Sequence, residues 1–341
     1  MRLIKSLVAL ALVLGVLAAA AAVGGWVWLQ NEVGREGPAI AETTFTVERG
    51  DSLAAVAKRL ESEGVISNAT LMRLKARLDG QENAIKAGAY TIAPRASIAS
   101  ILDQLVQGDV IQLKLTIPEG LTTAQILRRI EAAEELTGEM PTETIAEGTL
   151  LPDTYLFESG TTRTQFINRM QTAQVELLDR LWPQRQDGLP IKTREEAIIL
   201  ASVVEKETGH PEERGMVAGL FTGRLLKGMR LESDPTIIYG ISGGEPLYNK
   251  AGERRTLYRS EIDRKTDWNT YQIDGLPKTP ICNPGADSIA AVLNPPETDY
   301  VFFVADGKGG HLFAKTYAEH QRNVAAYRRY EREEIARERR E

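Results

Sequence analysis

The 341-residue chain has one cysteine, three histidines and no strong excess of either charge. The single cysteine, Cys282, excludes a disulfide within the chain, so cysteine usage leaves both a cytosolic and an exported location open. The formal net charge of −6 gives no reason to expect nucleic acid or an anionic lipid surface as a partner. At this length the chain has room for two or more domains, each with its own core.

The histidines do not form a metal-binding pattern. His210 lies near Glu205 and Glu207 without the H-E-x-x-H spacing of a zinc site, and His311 and His320 supply no second pair. We therefore predict neither a metal site nor any other cofactor.

Two glycine-rich segments match known motifs only in part. Residues 240–244 fit the G-x-S-x-G nucleophile elbow, but the next five residues, Glu-Pro-Leu-Tyr-Asn, cannot open the helix that an elbow requires. Residues 307–310 are Gly-Lys-Gly-Gly, which lacks the full phosphate-loop pattern and predicts a tight hairpin turn. Neither a hydrolase elbow nor a phosphate loop is predicted.

Charged residues are absent from Leu7 to Leu29, directly after Arg2 and Lys5. A run of about 20 apolar residues spans the hydrocarbon core of a membrane as a helix. The run exceeds the roughly 7–15 apolar residues of a cleaved signal peptide, although the small residues at 18–22 are typical of that alternative. We predict a transmembrane helix over residues 7–29.

The orientation of this helix follows from the position of its flanking charges. Positive residues precede the helix, which predicts that residues 1–6 are cytoplasmic and that the rest of the chain is extracytoplasmic, at the inner (cytoplasmic) membrane of a bacterium. Trp26 and Trp28 lie where an interfacial aromatic belt is expected.

Three segments share a short strand, a turn, a Ser or Thr N-cap and an amphipathic helix. The first contains Gly50 and Ser52, the second contains Gly120 and Thr122, and a looser third has Ser97 as its cap. The string Gly-Asp-Ser-Leu at 50–53 resembles the opening of LysM sugar-binding modules. We predict a LysM-like subdomain over residues 43–108, although such units are also common in unrelated folds.

A helical hairpin follows in the second half of the chain. Thr193 and Glu196 form a capping box before an apolar run, which predicts a helix through Thr208. Gly209 ends that helix and Pro211 opens the next one. The corner of the hairpin is therefore Gly209-His210-Pro211.

The last turn of the first hairpin helix carries a candidate general acid. At about 100° per residue, Glu207 shares the apolar face of Leu200 and Val204, whereas Glu205 should be solvated and dispensable. Burial and the negative end of the helix dipole both raise the pKa of such a carboxyl, as a glycosidic general acid requires. The alternative is a glutamate at a frayed helix end, paired with Lys206 or Arg214.

The chain from about residue 148 onward resembles the YceG-like family of endolytic murein transglycosylases. The likeness rests on blocks that occur in the family's order: residues 151–155 (LPDTY), 201–208 (ASVVEKET), 229–240 (MRLESDPTIIYG), 269–277 (NTYQIDGLP), 283–288 (NPGADS) and 303–311 (FVADGKGGH). The sequence departs from the family pattern at Trp268, where the family often has Tyr, and at Lys278, where it has a second Pro.

This resemblance implies an activity and a catalytic residue. The second Glu of the E-K-E-T block is the family's catalytic acid, which corresponds to Glu207 here. The implied reaction cleaves the bond between N-acetylmuramic acid (MurNAc) and N-acetylglucosamine (GlcNAc) in peptidoglycan. The 6-hydroxyl of MurNAc itself attacks, which leaves 1,6-anhydro ends and terminates strand elongation. An ordinary glycosidase instead needs a second carboxylate, to activate water or to act as the nucleophile.

Four further polar residues are candidate sugar contacts: Asp234, Asn269, Tyr271 and Asn283. Each residue type is also common in turns, so a purely structural role stays open. Peptidoglycan strands are the implied substrate, and peptidoglycan synthases of the penicillin-binding class are candidate membrane partners. The alternative function is a membrane-anchored, non-catalytic peptidoglycan-binding scaffold.

The predicted architecture is α+β. It consists of the transmembrane helix, the LysM-like subdomain and a mixed catalytic domain over residues 109–321 that contains the helical hairpin. Residues 322–341 are predicted to form a charged, solvated helical tail.

Overall fold

The computed structural model of the protein describes residues 2–338. The chain divides into two compact units: Met1–Leu113 with Leu156–Gly160, and Lys114–Tyr155 with Thr161–Glu341. Both contain helices and short strands, which confirms the predicted α+β class. Met1, in the predicted cytoplasmic segment 1–6, lies outside the described residues. Residues 339–341, in the predicted charged tail 322–341, also lie outside them.

The N-terminal helix α1 (Arg2–Val33) begins the first unit. Its segment Leu12–Val33 is long and apolar enough to cross a membrane, judged by length and composition. Trp26 and Trp28 are each 56% exposed, whereas Leu29 and Val33 are buried in the core of the first unit. The helix therefore continues one turn beyond the predicted span, and its last turn belongs to the folded unit.

A strand–helix–helix–strand arrangement forms the body of the first unit. Strand β1 pairs antiparallel with β2, with Phe45 opposite Tyr90, and both side chains are buried in the same core. The elements are β1 (Thr43–Val47), α2 (Leu53–Ser62), α3 (Ala69–Leu78), β2 (Gly88–Ile92) and α4 (Ile98–Gln107). Whether this unit binds sugar as LysM modules do stays a prediction.

The three predicted N-caps are confirmed, because Ser52, Ser97 and Thr122 each accept a hydrogen bond from a backbone N–H of the following helix. The residue two positions before each cap has a left-handed backbone: φ is 90° at Gly50 and 74° at Gly120. The third segment has Arg95 at this position, with φ 57°. A non-glycine residue there costs roughly 1 kcal/mol, and its presence explains why the third copy looked looser in sequence.

The remaining elements belong to the second unit, except that strands β3 and β4 each have residues in both units. Strand β3 pairs with β4, and β5 pairs antiparallel with β6. The bounds are β3 (Gln112–Thr116), α5 (Thr123–Glu131), β4 (Thr154–Glu158), α6 (Arg163–Leu181), α7 (Arg194–Glu207), α8 (Pro211–Leu226), α9 (Asp234–Ser242), α10 (Arg259–Ile262), α11 (Ala286–Leu293), β5 (Phe302–Ala305), β6 (His311–Ala314) and α12 (Tyr317–Glu338).

Helix α7 forms the centre of the second unit and contacts α8, α9 and α11. Seven of its residues are buried: Ala197, Ile198, Leu200, Ala201, Ser202, Val203 and Val204. The predicted capping box of Thr193 and Glu196 is present, and Pro211 is the first residue of α8. The predicted helical hairpin is therefore confirmed as α7–α8.

The C-terminal part of the chain packs on the β5–β6 hairpin. The predicted tight turn is confirmed, because the Asp306 N–H donates to the Gly310 carbonyl over 2.9 Å. Helix α12 begins at Tyr317, before the predicted tail, and contacts both strands. Side chains at a helical spacing, Tyr327 and Tyr330 among them, are half-buried. The predicted solvated tail thus has one covered face.

Candidate active site

Glu207 is the last residue of α7 and lies where the helix leaves the core. Thr208 has an extended backbone and ends the helix, and its own side chain is buried. Glu207 is half-buried and lies at the boundary between the core and the surface. The position predicted from the helical wheel is therefore present.

The environment of Glu207 favours the protonated carboxyl. Burial is the main cause and raises its pKa from the ordinary 4.5 to about 7, and the nearby negative charge of Asp234 acts in the same direction. The Ser233 hydroxyl and the Arg224 guanidinium act in the opposite direction on this pKa. The Ser233 Oγ is buried and makes no full hydrogen bond within the part of the chain that the structure describes.

Asp234 and Tyr271 lie beside Glu207. Asp234 is exposed and begins α9, while the half-buried Tyr271 donates its phenolic hydrogen to Asp234 Oδ1 over 2.8 Å. Burial and the charge of Asp234 raise the pKa of Tyr271, and the charge of Glu207 adds to this effect. Tyr271 therefore stays a hydrogen-bond donor and fixes the Asp234 carboxylate. The structure thus brings together three of the five residues singled out in the sequence.

A chain of buried hydroxyl groups holds the loop that presents Ser233 and Asp234. The Ser233 N–H donates to Thr270 Oγ1 over 2.9 Å, and the Thr270 N–H donates to Thr236 Oγ1 over 3.2 Å. Thr236 Oγ1 in turn donates to the Ser233 carbonyl over 2.6 Å. These residues lie in the sequence blocks that carry the family likeness, but nothing in their spacing predicts this network.

Arg224, like the hydroxyl network, has a structural role that the sequence did not indicate. It is buried, its Nε donates to the Val301 carbonyl over 2.6 Å, and its NH1 donates to the Leu231 carbonyl over 3.0 Å and to Glu232 Oε2 over 3.0 Å. Glu232 has φ 52°, a strained value for a non-glycine residue. The sequence feature that could have identified Arg224 is its position among the apolar residues of the predicted second hairpin helix, where an arginine needs buried partners.

Asn269 and Asn283 require a correction, because the structure buries both completely. The Asn269 amide donates to the carbonyls of Ile262 and Arg264, at 2.9 and 2.6 Å, and its oxygen accepts from the Tyr271 N–H at 2.9 Å. Asn269 therefore holds the loop that carries Tyr271, and no polar atom of its side chain is left for a sugar.

The side chain of Asn283 is used in the same way. Its oxygen accepts from the Leu150 N–H over 2.9 Å, and its amide nitrogen is 3.0 Å from both Thr123 Oγ1 and Glu147 Oε1. Asn283 links three segments of the second unit below the surface. Both asparagine side chains are buried and bonded to protein groups, so the structure does not place them at a sugar-binding surface.

The prediction that Glu205 is solvated is wrong. Its side chain is only 7% exposed, and Oε2 accepts from the Gly285 N–H over 3.0 Å and from Ser288 Oγ over 2.7 Å. Arg214 lies 3.8 Å from the other carboxylate oxygen. The wheel placed Glu205 away from one apolar face, but α11 packs on that side of α7, and Glu205 caps its N-terminus.

The remaining sequence motifs do not join this site. Ser242, in the partial elbow motif, is the last residue of α9, and its hydroxyl donates to the Ile238 carbonyl over 2.9 Å. His311 Nδ1 lies 2.7 Å from Glu213 Oε2. Among the described residues no group of three or more His, Cys, Asp or Glu is arranged to hold a metal ion.

The two glutamates of α7 should affect stability in opposite directions. We expect Glu205→Gln to lower the free energy of unfolding by about 1–3 kcal/mol, because it removes a charge-assisted helix cap. Glu207 binds more protons in the native than in the unfolded state between pH 4.5 and about 7, so the wild type loses stability as pH rises through this window. Glu207→Gln should therefore be the more stable protein above pH 7, by on the order of 1–3 kcal/mol.

Urea unfolding of the full chain in detergent micelles at pH 4.5 and pH 8 measures both effects. The gain for Glu207→Gln relative to wild type should be present at pH 8 and largely absent at pH 4.5. A destabilised Glu207→Gln at pH 8, with an unaffected Glu205→Gln, would contradict this account of the two carboxyls.

Two known proteins similar to this chain are both described as endolytic murein transglycosylases. An endolytic murein transglycosylase of Bacillus subtilis (strain 168) is 26% identical over 314 residues, which cover 83% of this chain and 84% of the relative. The endolytic murein transglycosylase of Streptococcus pneumoniae serotype 2 is 27% identical over 330 residues, which again cover 83% of this chain but 58% of the relative. The chain thus spans little more than half the length of the pneumococcal protein.

A solved structure and a family description complete the comparison. The crystal structure of a yceG-like protein from Listeria monocytogenes aligns with a TM-score of 0.48 and 27% identity, over 82% of this chain and 98% of that one. Residues 45–326, most of the chain and all of the site described above, match the YceG-like family. The protein therefore belongs to the YceG-like family.

Proposed function

We propose that this protein is an endolytic lytic transglycosylase that cleaves the MurNAc–GlcNAc bond of peptidoglycan strands and leaves 1,6-anhydro-MurNAc ends. The observation that carries the proposal is Glu207, whose pKa is raised by burial to about 7 at an open edge of the core. Family membership and the names of the relatives support the same reaction class. In the cell, such cuts would terminate the elongation of nascent strands.

In the proposed reaction Glu207 acts first as an acid and then as a base. Its protonated carboxyl donates to the glycosidic oxygen while the bond to the MurNAc anomeric carbon breaks. The MurNAc 6-hydroxyl attacks that carbon, and the Glu207 carboxylate accepts the hydroxyl proton. Because the nucleophile belongs to the same sugar ring, the reaction needs no activated water and gains from proximity.

Asp234 adds a second carboxylate that the sequence reasoning did not require. Its charge lies close enough to Glu207 to raise the pKa of that carboxyl, and Tyr271 fixes its orientation. We propose that Asp234 stabilises the positive charge that develops on the MurNAc ring, with Tyr271 as its positioning residue. Asp234 does not act as the nucleophile in this scheme, since the 6-hydroxyl takes that role.

The alternative function is a membrane-anchored scaffold that binds peptidoglycan without cleaving it. A scaffold has no use for a carboxyl with a pKa near 7 within the electrostatic influence of a second carboxylate, because this arrangement destabilises the fold above neutral pH. The site therefore favours the enzyme.

Replacement of Glu207 tests the enzyme against the scaffold. Glu207→Gln should lower strand cleavage by 10²- to 10⁴-fold, because the amide keeps the shape and loses the transferable proton. Wild-type activity should fall as pH rises through about 7, where the carboxyl loses its proton. The assay is release of soluble fragments from purified peptidoglycan, with Glu195→Gln, an exposed carboxyl in the first turn of α7, as matched control. Equal activity of both variants would favour the scaffold.

The chemistry of the new end tests the transglycosylase reaction itself. Cleavage in heavy-oxygen water should leave the MurNAc anomeric carbon unlabelled, because its own 6-hydroxyl closes the ring. Strands acetylated on the MurNAc 6-hydroxyl should resist cleavage for the same reason. Mass spectrometry of the products measures both, and stoichiometric label at the anomeric carbon would identify a hydrolase instead.

We also propose that α1 anchors the protein in the bacterial cytoplasmic membrane with its N-terminus inside. The support is the apolar helix and the position of Arg2 and Lys5 before it. A reporter fused after Glu341 should be active only outside the cytoplasm, and the mature protein should keep its first residues. A mature N-terminus between residues 18 and 25 would show a cleaved signal peptide.

The anchor and the first unit suggest where the enzyme acts. An enzyme tethered to this membrane would meet strands as they are made, so peptidoglycan synthases are the candidate partners. The strand–helix–helix–strand body of the first unit supports the LysM-like interpretation, in which this unit would bind glycan strands.

A further inference from the structure

A cavity of about 580 Å³ opens in the second unit beside the proposed catalytic residues. Asp234 lines it at one end, and so does Lys206, the residue before Glu207. Its exposed walls are mainly apolar and include Leu121, Pro235, Ile238, Leu257 and Ile281, and Thr122, Gln125, Tyr239 and Thr256 add hydroxyl and amide groups. Glu207 itself does not line the cavity, but Asp234 and Lys206 place the cavity next to the proposed catalytic site.

Three cationic side chains line this cavity, and they differ in how far their charges are neutralised. Arg255 forms a two-pronged ion pair with Glu261, at 2.8 and 2.7 Å, and is thus committed to the fold. Arg254 is exposed, and within the described residues no hydrogen bond or ion pair involves its guanidinium. Lys206 Nζ donates only to the Gly120 carbonyl, over 3.2 Å.

The chemistry of the cavity selects one part of the proposed substrate. A sugar ring is uncharged, so it would leave the cations of Arg254 and Lys206 without an anionic partner. Free cations beside apolar walls instead suit a group that carries both aliphatic carbon and carboxylates. In peptidoglycan this combination occurs on the MurNAc lactyl arm and on the peptide that extends it, with its alanine methyl groups and several carboxylates.

We propose that this cavity binds the carboxylate-bearing lactyl–peptide arm of MurNAc, through Arg254 and Lys206. The inference rests on the proposed function and names the part of the strand that the enzyme recognises besides the scissile bond. Lys206 precedes the catalytic acid in the chain, so an arm held there also fixes the position of its sugar relative to Glu207. Arg254 determines substrate preference and takes no part in proton transfer.

The test compares full-length enzyme on three substrates in detergent micelles. The first is strands with intact peptides, the second is amidase-treated strands with free lactyl carboxylates, and the third is such strands with the lactyl groups converted to neutral amides. Arg254→Glu should lower kcat/KM on a carboxylate-bearing substrate about tenfold more than on the neutral one. Arg254→Lys should restore most of the preference, because it keeps the charge.

The matched control is Lys250→Glu, which makes the same charge change in the same turn without lining the cavity. It should leave the ratio of kcat/KM values between substrates as in wild type. Equal unfolding midpoints of the Arg254 variants and wild type will exclude a folding defect.

The outcomes separate the two sources of carboxylate and the two levels of inference. If Arg254→Glu lowers kcat/KM selectively on peptide-bearing strands, the cavity binds the peptide carboxylates. If it lowers kcat/KM selectively on amidase-treated strands, the cavity binds the lactyl carboxylate. Either result supports the proposal. An equal loss on all three substrates, or no loss, overturns it while the transglycosylase reaction stands. A wild-type enzyme that cleaves none of the substrates would overturn the proposed function as well.

Discussion

Helix α7 is packed against α8, α9 and α11, and its burial from Ala197 to Val204 is the constraint on which the site depends. A helix that packs against three others cannot shift without loss of close-packed contacts with several neighbours at once. Its last residue, Glu207, is therefore held at a fixed point on the edge of the core. The same packing removes water from the carboxyl and raises its pKa, so the acid–base property of the site follows from the way the domain folds.

The two glutamates of this helix turn show that burial alone does not make a catalytic group. The Glu205 side chain is only 7% exposed, but a backbone N–H, a hydroxyl and a nearby guanidinium compensate its charge. Glu207 faces a serine hydroxyl that makes no full hydrogen bond within the described residues, and another carboxylate. A compensated buried carboxylate contributes to stability, whereas one without such partners stays ready to exchange a proton. Functional assignment thus depends on the partners of each carboxyl more than on its depth.

The predictions that the structure confirms are those in which cause and effect lie within a few residues. Ser52, Ser97 and Thr122 cap helices that begin at the next residue, and Pro211 opens α8. Such local rules correctly predicted the starts of α2, α4, α5, α7 and α8 and the hairpin corner. They also have limits, because Arg95 adopts the left-handed backbone for which its two counterparts use glycine.

The predictions that needed correction depend on partners far away in the chain. Glu205 caps a helix whose capped groups come 80 and 83 residues later, and a helical wheel contains no information about that helix. Asn283 binds segments more than 130 residues earlier, so its polar type suggested a sugar contact although it joins buried backbone. The sequence showed that these residues belong to the blocks shared with the family. Only tertiary packing decides whether a polar side chain in such a block faces inward or toward a ligand.

The loop opposite Glu207 shows how the α7–α8 hairpin sets the geometry of the site. Glu232 holds a strained left-handed backbone just before Ser233 and Asp234, and strain of this kind persists only where the surroundings enforce it. Arg224 supplies that enforcement, because its guanidinium binds the Leu231 carbonyl and the Glu232 carboxylate. Arg224 lies on α8 and Glu207 lies on α7, so one hairpin carries both the acid and a residue that supports the loop of Asp234. The separation of the two carboxyls therefore depends on helix packing together with the hydrogen bonds that hold this loop and the Asp234 side chain.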